Sequence, residues 1–438
     1  MEQIEALDNE LERIGWGRYS YYNFLACGGA WVIGMLWSVG ISIILYSADW
    51  DLTEYQKGVI GTLSNLGLFV GSYLFGYLGD LVGRVLTFKV VGGFTFLGGV
   101  LSVLCADYSM MRVVALVLGV GIGGEIALGG PSYLELCPPS KRWTTVLMSA
   151  CWVVGGVLAG LLGLLIETAG LTWKYLPGVS LVMQVVVWAL RLFLLESPKF
   201  LYIKGRIKKC KCTLKKLALA NGNSQPEVSL DYGFLLPKQK SSLKKLFSRE
   251  YLKKTLLFSV LLFLSDLSFS ATVLFMPSFL NQLGVVSKGL YSTMVLQMST
   301  GIPGIALASY TVETCLGRKG TVAAGYFLCG LSCGLFMLSN SYLEVLVFSC
   351  GIYLFSFTGY SAAYTLVSES YPTEIRSLGV GWTHAWCKFG GLVSPLTVGV
   401  LLQNEGGLYI SILIVGFCFS VVGVLALLTT ETRNRSIA

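Results

Sequence analysis

The chain has 438 residues, of which 54% are hydrophobic and only 13% are charged. Because soluble domains carry about 25% charged residues, this composition excludes an ordinary soluble enzyme or binding domain. Its 52 glycines in an apolar chain indicate close helix packing. The 12 cysteines show no paired spacing apart from Cys210 and Cys212. No second ligand pair follows these two, so we predict neither a metal site nor a cofactor.

The first 23 residues are acidic and polar, which is not typical of a signal peptide. The first apolar stretch is therefore predicted to remain as a membrane helix. A bilayer core of about 30 Å requires about 20 apolar residues per helix. Twelve segments near that length are predicted, numbered here as spans 1 to 12: 24–46, 58–79, 85–105, 112–133, 145–167, 174–195, 254–280, 289–312, 320–338, 343–367, 377–402 and 408–430.

The spacing of the spans divides the chain into two groups of six. Short loops join the spans, except for one long basic loop in the middle. The predicted organisation is an N-terminal segment, a first six-helix bundle, a central loop, a second six-helix bundle and a tail: 1–23, 24–195, 196–253, 254–430 and 431–438.

Lys and Arg lie almost entirely on one side of the predicted spans. Lys57, Arg112, Lys174 and Lys288 are on the other side, and Lys388 is within span 11. Positive loops face the cytoplasm, so both termini and the central loop are predicted to be cytoplasmic. The basic central loop accounts for the net charge of +8. We interpret this loop as a topology signal that contacts anionic lipid at most, and not as a nucleic-acid site.

The two halves repeat one another. Arg84 matches Arg318, 234 positions later, and Trp152 matches Trp386 at the same offset. A longer motif repeats at that offset too: Glu135-x-x-Pro138-x-x-x-Arg142 and Glu369-x-x-Pro372-x-x-x-Arg376. Doubled six-helix halves are typical of secondary transporters, whose solute site lies between the repeats near the bilayer midplane. The chain has no Walker-type phosphate-binding loop, which argues against an ATP-driven pump.

Several motifs resemble those of the major facilitator superfamily. They are Gly76-Tyr-Leu-Gly79-Asp80-Leu-Val-Gly83-Arg84, Glu196-Ser197-Pro198-Lys199-Phe200-Leu201 with Gly205-Arg206, and Glu431-Thr432-Arg433. The second of these resembles the segment after helix 6 in sugar porters and their relatives. Two further motifs, Gly123-Gly124-Glu125 and Tyr371-Pro372-Thr373-Glu374-Ile375-Arg376, resemble the branch that holds synaptic-vesicle-glycoprotein-like proteins, nicotinate carriers and organic-ion carriers. The resemblance covers nearly the whole chain. It implies an all-α membrane protein of twelve helices in two pseudo-symmetric six-helix bundles.

Two positions depart from the pattern of these relatives. Where they usually carry an arginine early in span 4, this chain has Ala115. Many nicotinate-type relatives have an aspartate in span 1, whereas this span reads Trp31-Val-Ile-Gly-Met-Leu-Trp37. A coupling mechanism copied from those relatives is therefore not implied.

A set of charged residues falls at the cytoplasmic ends of the spans and is predicted to form a conformational latch. Acid–base pairs between the two halves would form only when the halves close on that side. The alternative is a solvated interface of ordinary exposed charges. Thr314 stands at the position of Asp80, with Glu313 beside it, so the second half of the latch is expected to be weaker. The predicted latch residues are Asp80, Arg84, Glu135, Arg142, Glu196, Arg318, Glu369, Arg376, Glu431 and Arg433.

Glu125, Asp266 and Lys388 lie far from any predicted span end. At about 1.5 Å per residue, each is about 15–18 Å into the membrane. A charge at that depth requires a cavity or a partner, so a shared polar cavity is predicted. Either acid is a candidate proton carrier, and Lys388 is a candidate for an anionic solute. The alternative for all three is a buried pair that fixes helix packing. His384, one turn before Lys388, is either part of a proton path or, as we favour, a packing histidine.

Neutral and aromatic groups complete the predicted site. The polar candidates are Asn65 and Gln297, and aromatic rings in membrane helices either stack on a flat solute or serve as packing and interface anchors. The aromatic candidates are Trp31, Trp37, Tyr360, Tyr364 and Trp386.

Together these features predict a secondary transporter, not an enzyme, that moves a small organic solute by alternating access. Proton-coupled uptake of an organic anion is the preferred form. A facilitative carrier of a sugar or organic cation, a non-transporting receptor or scaffold on the same fold, and a channel remain as alternatives. The expected partners are the solute, protons and the lipid bilayer, and the chain is expected to be a monomer in the plasma membrane or an organelle membrane.

Overall fold

The computed structural model describes residues 2–48, 50–141, 144–222, 243–283, 289–371 and 375–432. The side chains of residues 2–5, 145, 146, 243, 244, 376 and 377 are excepted. Within these limits every regular element is helical. The predicted latch residues Arg142 and Arg433 lie outside the described residues, as does the side chain of Arg376.

The first half of the chain and the central segment form helices that begin with a short N-terminal one. They are α1 (Glu2–Ile14), α2 (Arg18–Ser47), α3 (Glu54–Val82), α4 (Arg84–Val103), α5 (Tyr108–Leu134), α6 (Thr144–Ala169), α7 (Tyr175–Arg191), α8 (Pro198–Ile203), α9 (Ile207–Ala220) and α10 (Leu243–Leu246). The second half contains α11 (Leu252–Gln282), α12 (Leu290–Ser299), α13 (Gly301–Thr311), α14 (Gly317–Met337), α15 (Tyr342–Glu369), α16 (Arg376–Leu401) and α17 (Gly407–Leu427).

These helices account for the twelve spans. Helices α2 to α7 are spans 1 to 6, α11 is span 7, α12 with α13 is span 8, and α14 to α17 are spans 9 to 12. Nine of the described helices are long and apolar enough by themselves to cross a membrane. The other three spans are the 17-residue α7, the interrupted α12–α13, and α16, which carries His384 and Lys388. The protein is therefore a multi-pass membrane protein.

Span 8 is interrupted at Thr300, where a single helix was predicted. Pro303 lacks an N–H and cannot donate to the preceding turn. The Thr300 hydroxyl lies 2.6 Å from the carbonyl oxygen of Gln297 and 3.1 Å from that of Cys350 on α15. The break therefore keeps its polar groups hydrogen-bonded at membrane depth, as a lipid environment requires.

Glycines let the helices within a half approach closely, as the composition predicts. A Cβ at Gly71 on α3 would lie 2.0 Å from the carbonyl oxygen of Val120 on α5, and one at Gly123 on α5 would lie 2.1 Å from that of Leu68. Only glycine fits at such backbone contacts. Helices α3 and α5 consequently form one rigid pair inside the first half.

The predicted central loop contains helices in its described part. Leu214 and Leu217 of α9 form a small core with Leu7 and Leu11 of α1 and with Tyr202 of α8. Asp8 of α1 also forms an ion pair with Lys199 of α8 at 2.8 Å. The apolar spacing along α9 explains this packing, because it places one face of a basic helix on the protein.

Cys210 and Cys212 lie on different faces of α9. Cys210 is buried, Cys212 is exposed, and both are free thiols. Burial raises the pKa of the Cys210 thiol to about 11. Since the two thiols point apart, they do not form the paired ligand set that a metal site would require.

The two halves contact each other on the side away from the first residues of α2. There the Ser278 hydroxyl lies 3.0 Å from Glu54 Oε2, and the Ser47 and Tyr291 hydroxyls lie 2.6 Å apart. Nearer the other end of the helices, Tyr364 on α15 is 46% exposed. The described contacts thus close the interface on the side opposite the chain ends.

Candidate functional site

Asp266 on α11 and Lys388 on α16 form an ion pair in the middle of the second half. Lys388 Nζ lies 3.5 Å from Asp266 Oδ2, and their side chains are 21% and 12% exposed. Lys388 is about 18 Å from the start of α16 at a rise of about 1.5 Å per residue, which is the middle of this helix. Cys387 hydrogen-bonds to both Asp266 and Tyr360 of α15. The pair therefore joins three helices of one half.

Asn65 on α3, in the first half, contacts residues that surround this ion pair. Its amide nitrogen lies 3.1 Å from the Ser270 hydroxyl on α11, and that hydroxyl lies 3.4 Å from the carbonyl oxygen of Gly391 on α16. A Cβ at Gly391 would lie 2.7 Å from Asp266 Oδ2 and 3.4 Å from Asn65 Oδ1. Two polar groups of opposite halves thus meet around one glycine, at the interface where alternating access must act.

Glu125 does not join that site. It forms a completely buried ion pair with Arg191 at 2.9 Å within the first half. Thr95 and Gln184 donate further hydrogen bonds to Glu125 Oε1, each at 3.0 Å. Arg191 also donates to the carbonyl oxygen of Ala26. The structure therefore separates the three predicted charges into two pairs, and Glu125 holds α4, α5 and α7 together.

Arg191 is a residue that the sequence reasoning missed. It lies inside predicted span 6, four residues before the end of that span, and this position was its only signal. Its guanidinium lies 5.0 Å from the centre of the Phe88 ring on α4. A single arginine near a span end is usually a topology charge, so depth alone did not distinguish it.

Two other polar candidates have buried side-chain atoms without a hydrogen-bond partner. Both side-chain amide atoms of Gln297 on α12 lack a hydrogen-bond partner among the described residues, as does His384 Nε2 on α16. The His384 ring lies 5.2 Å from the ring of Tyr364. Buried polar atoms without a protein partner are usually satisfied by water or ligand. His384, Tyr364 and Tyr360 border the Lys388 side of α16.

The predicted tryptophans are placed differently from one another. Trp31 contacts Trp152 edge-on at 6.4 Å. Four residues after Trp152, a Cβ at Gly156 would lie 2.8 Å from the sulfur of Met298 in the opposite half. Trp37 is completely buried and meets Gly99 of α4, inside the first half. Trp386 is 39% exposed and shares an exposed apolar face of α16 with other residues: Phe389, Val393, Leu396 and Val400. That face is typical of a lipid-facing surface.

The charge cluster of the first half forms within that half. Arg84 Nη2 at the start of α4 lies 2.8 Å from Asp80 Oδ1 of α3 and 3.1 Å from Glu135 Oε1 after α5. Glu196, beyond α7, accepts hydrogen bonds from the backbone N–H groups of Arg84 at 2.8 Å and of Val85 at 3.3 Å. A carboxylate at the start of α4 is stabilised by the helix dipole.

The second half builds the same cluster. Arg318 lies 3.1 Å from Glu369 Oε2 and 3.1 Å from Glu313 Oε1. Glu431 accepts from the backbone N–H groups of Arg318 at 3.0 Å and of Lys319 at 3.1 Å. Glu313 therefore replaces the missing aspartate at Thr314, and the second cluster has as many charged partners as the first.

The predicted latch between the halves stays a prediction, because this side of the interface is open. The described pairs of Arg84 and Arg318 join helices of the same half, not of opposite halves. The reason is geometric: each arginine begins a helix whose neighbours in the same half end beside it. The clusters therefore make the end of each six-helix half a rigid unit.

Gly83 provides a test of this cluster. Its φ of +115° is unfavourable for other residues, and a Cβ there would lie 2.5 Å from Glu196 Oε2. We expect Gly83→Ala to lower the free energy of unfolding by about 1–3 kcal/mol. Thermal unfolding of the purified protein in detergent measures the change.

The matched control for this variant is Gly93→Ala within α4, the helix that Gly83 precedes, where a Cβ meets nothing within 4 Å. It should leave the unfolding temperature unchanged or raise it slightly. Equal unfolding temperatures for the two variants would contradict the role of Gly83.

Twelve spans in two repeated halves around a polar midplane pair define a transporter of the major facilitator superfamily. Residues 25–438 match the family described as sugar (and other) transporter, and the chain belongs to this family. The predicted fold class is confirmed, and the protein is a transporter of sugars or other small organic solutes and not an enzyme.

The chain is similar along most of its length to transporters and their relatives. Synaptic vesicle 2-related protein of Rattus norvegicus is 26% identical over 461 residues, which cover 98% of this chain and 82% of that protein. Niacin transporter NiaP of Acinetobacter baylyi is 22% identical over 435 residues, which cover 98% of each. The fold is similar to the crystal structure of a D-xylose-proton symporter, with a TM-score of 0.72 at 16% identity over 95% of this chain and 99% of that one.

Proposed function

We propose that this protein is a secondary carrier that moves a small organic anion together with a proton by alternating access. The observation that carries the proposal is the Asp266–Lys388 pair, largely buried at mid-span beside Asn65 of the opposite half. An anionic solute group competes with Asp266 for Lys388. A carboxylate displaced into a low-dielectric cavity is neutralised most readily by taking up a proton, which couples the two movements.

In this proposal the neutral groups recognise the rest of the solute. Gln297 has an amide with no described hydrogen-bond partner, and Asn65 connects the two halves. Trp31 and Trp152, which pack edge-on, each offer an indole ring to the solute. Tyr360, Tyr364 and His384 border the route from Lys388 toward the chain ends. Similar proteins named a niacin transporter and a D-xylose-proton symporter support an organic solute and proton coupling.

The distribution of Lys and Arg supports cytoplasmic termini for the proposed carrier. The closed contacts between the halves then lie on the non-cytoplasmic side, and the site faces the cytoplasm. We propose a monomer, because each half supplies one side of the site within the same chain.

Uptake into proteoliposomes tests the proposal. The purified protein is offered anionic, neutral and cationic solutes, with and without a pH gradient. We expect an anionic solute to accumulate only with the gradient. Uptake of a sugar or organic cation to equilibrium without a gradient would identify a facilitative carrier. Binding without flux for every solute would identify a receptor.

Asp266→Asn tests the coupling step. The amide cannot take up a proton, so uptake should continue down the solute gradient while its dependence on the pH gradient is lost. The rate is measured at several external pH values in the same proteoliposomes. Unchanged pH dependence would show that Asp266 is not the proton carrier.

A reversible cross-link tests alternating access. A Cβ at Gly160 on α6 would lie 3.3 Å from the Val295 Cα on α12, in the opposite half. Cysteines at both positions are close enough for a disulfide. Oxidation of Gly160→Cys/Val295→Cys should stop uptake, and reduction should restore it. The single variant Val295→Cys is the control, and full uptake by the cross-linked protein would contradict alternating access.

A further inference from the structure

A cavity of about 380 Å³ lies outside the proposed solute site, where α4, the end of α7 and α9 meet. It combines an apolar wall with two lysines. Its lining residues are Val85, Leu86, Lys89, Leu194, Leu195, Glu196, Thr213 and Lys216. It lies near the start of α4, at the chain-end side of the spans, where the membrane surface meets the protein.

Lys89 is an unusual residue for its position. It is exposed on α4, about 7.5 Å into the helix from Arg84 at about 1.5 Å per residue. The exposed residues beside it are apolar: Leu86 is 54% exposed and Val90 46% exposed. This face of α4 therefore faces lipid. A lysine there extends its ammonium group toward the membrane surface, which is the direction of the cavity.

Lys216 supplies the second cation from outside the membrane. The buried face of α9, with Leu214 and Leu217, fixes this helix on the protein. The opposite face exposes Lys216 together with Lys208, Lys209 and Lys215. In the described part of the chain, neither Lys89 nor Lys216 has an ion-pair partner, although both line one cavity.

Glu196 is the acidic residue of the lining, and its carboxylate already accepts hydrogen bonds from the protein. Its oxygens accept hydrogen bonds from the backbone N–H groups of Arg84, Val85 and Ser197. Those groups include the start of α4, whose dipole offsets the negative charge. The two ammonium groups therefore remain available to a ligand. Thr213 adds a hydroxyl to the same wall.

We propose that this cavity binds the headgroup of an anionic phospholipid. The two lysines suit a phosphate group, while Val85, Leu86 and Leu194 suit the glycerol and the first part of the acyl chains. A soluble anion would leave that apolar wall in contact with lipid and gain nothing from it. Ala323 stands at the position that matches Lys89 in the second half, so the site belongs to one half only. The bound lipid would hold α9 against the end of the first six-helix bundle.

The test uses the full chain purified in neutral detergent and titrated with phosphatidylglycerol or phosphatidylcholine. Bound lipid is counted by native mass spectrometry. We expect phosphatidylglycerol to bind preferentially and Lys89→Gln/Lys216→Gln to weaken its binding at least about fivefold, which is about 1 kcal/mol. Lys209→Gln/Lys215→Gln removes the same charge from the same region and should bind as the wild type does.

A third variant separates charge from folding. Lys89→Arg/Lys216→Arg should keep the preference for phosphatidylglycerol, because both cations remain. Three results would overturn the site: equal binding of phosphatidylcholine, unchanged binding by Lys89→Gln/Lys216→Gln, or equally tight binding of soluble glycerol phosphate. The last would show that the cavity recognises a free anion and not a lipid.

Discussion

Lys388→Ala is expected to abolish uptake of an anionic solute. Removing one partner of a buried charge pair at a binding site costs about 2–5 kcal/mol, or at least about 30-fold in affinity. Here the change removes the cation that the proposed solute and Asp266 share. Initial uptake rates in proteoliposomes over a range of solute concentrations measure the loss.

The Lys388 variant also leaves Asp266 without its partner, which would destabilise the protein by itself. Lys388→Ala/Asp266→Asn removes both charges and should recover the unfolding temperature without recovering uptake of the anion. Lys253→Ala, an exposed lysine at the start of α11, is the matched control and should transport normally. Anion uptake at the wild-type rate by the folded double variant would contradict the assignment of Lys388.

Arg191→Met is expected to have the largest effect on stability. Glu125 and Arg191 are both completely buried, so the variant leaves an uncompensated carboxylate in the first half. Breaking a buried pair in this way costs about 3–5 kcal/mol of the free energy of unfolding. The unfolding temperature in detergent should fall sharply, and expression of folded protein should fall with it.

Glu125→Gln/Arg191→Met should recover most of that loss, since neither charge remains. Arg13→Met is the comparison, because Arg13 is half exposed in its i,i+3 pair with Glu10 and an arginine open to solvent contributes about 0–1 kcal/mol through such a pair. The double variant should also keep the pH dependence of uptake. If this double variant lost the pH dependence of uptake while Asp266→Asn kept it, the proton carrier would be Glu125 and not Asp266.

The charge clusters show which contacts a local sequence pattern can predict and which it cannot. The spacing of Arg84 and Arg318 and of their carboxylates predicted two repeated clusters, and the structure contains both. The same spacing did not reveal that each cluster closes within its own half. A repeat shows that two halves have equivalent contacts, but it does not distinguish contacts within a half from contacts between halves.

At the proposed solute site, too, the sequence determined one property of the charged residues and the helix packing determined another. The sequence determined that Glu125, Asp266 and Lys388 lie at similar depth, because helix rise converts residue number into depth. It could not determine which helix face meets which neighbour. Arg191, separated from Glu125 by 66 residues, became its partner only because α5 and α7 both pack against α2 and α4. Gln184 and Thr95 reached the same carboxylate by that packing.

By itself, the sequence determined the lipid environment, the number of spans, the internal repeat and the depth of the charged groups. These follow from apolar length, from equal spacing and from a constant rise per residue, all of which are local properties of the chain. Only the tertiary structure decided that Lys388 pairs with Asp266 and that Glu125 pairs with Arg191. The physical reason is that charges at membrane depth take the partner that packing brings near, and helix packing depends on both halves at once.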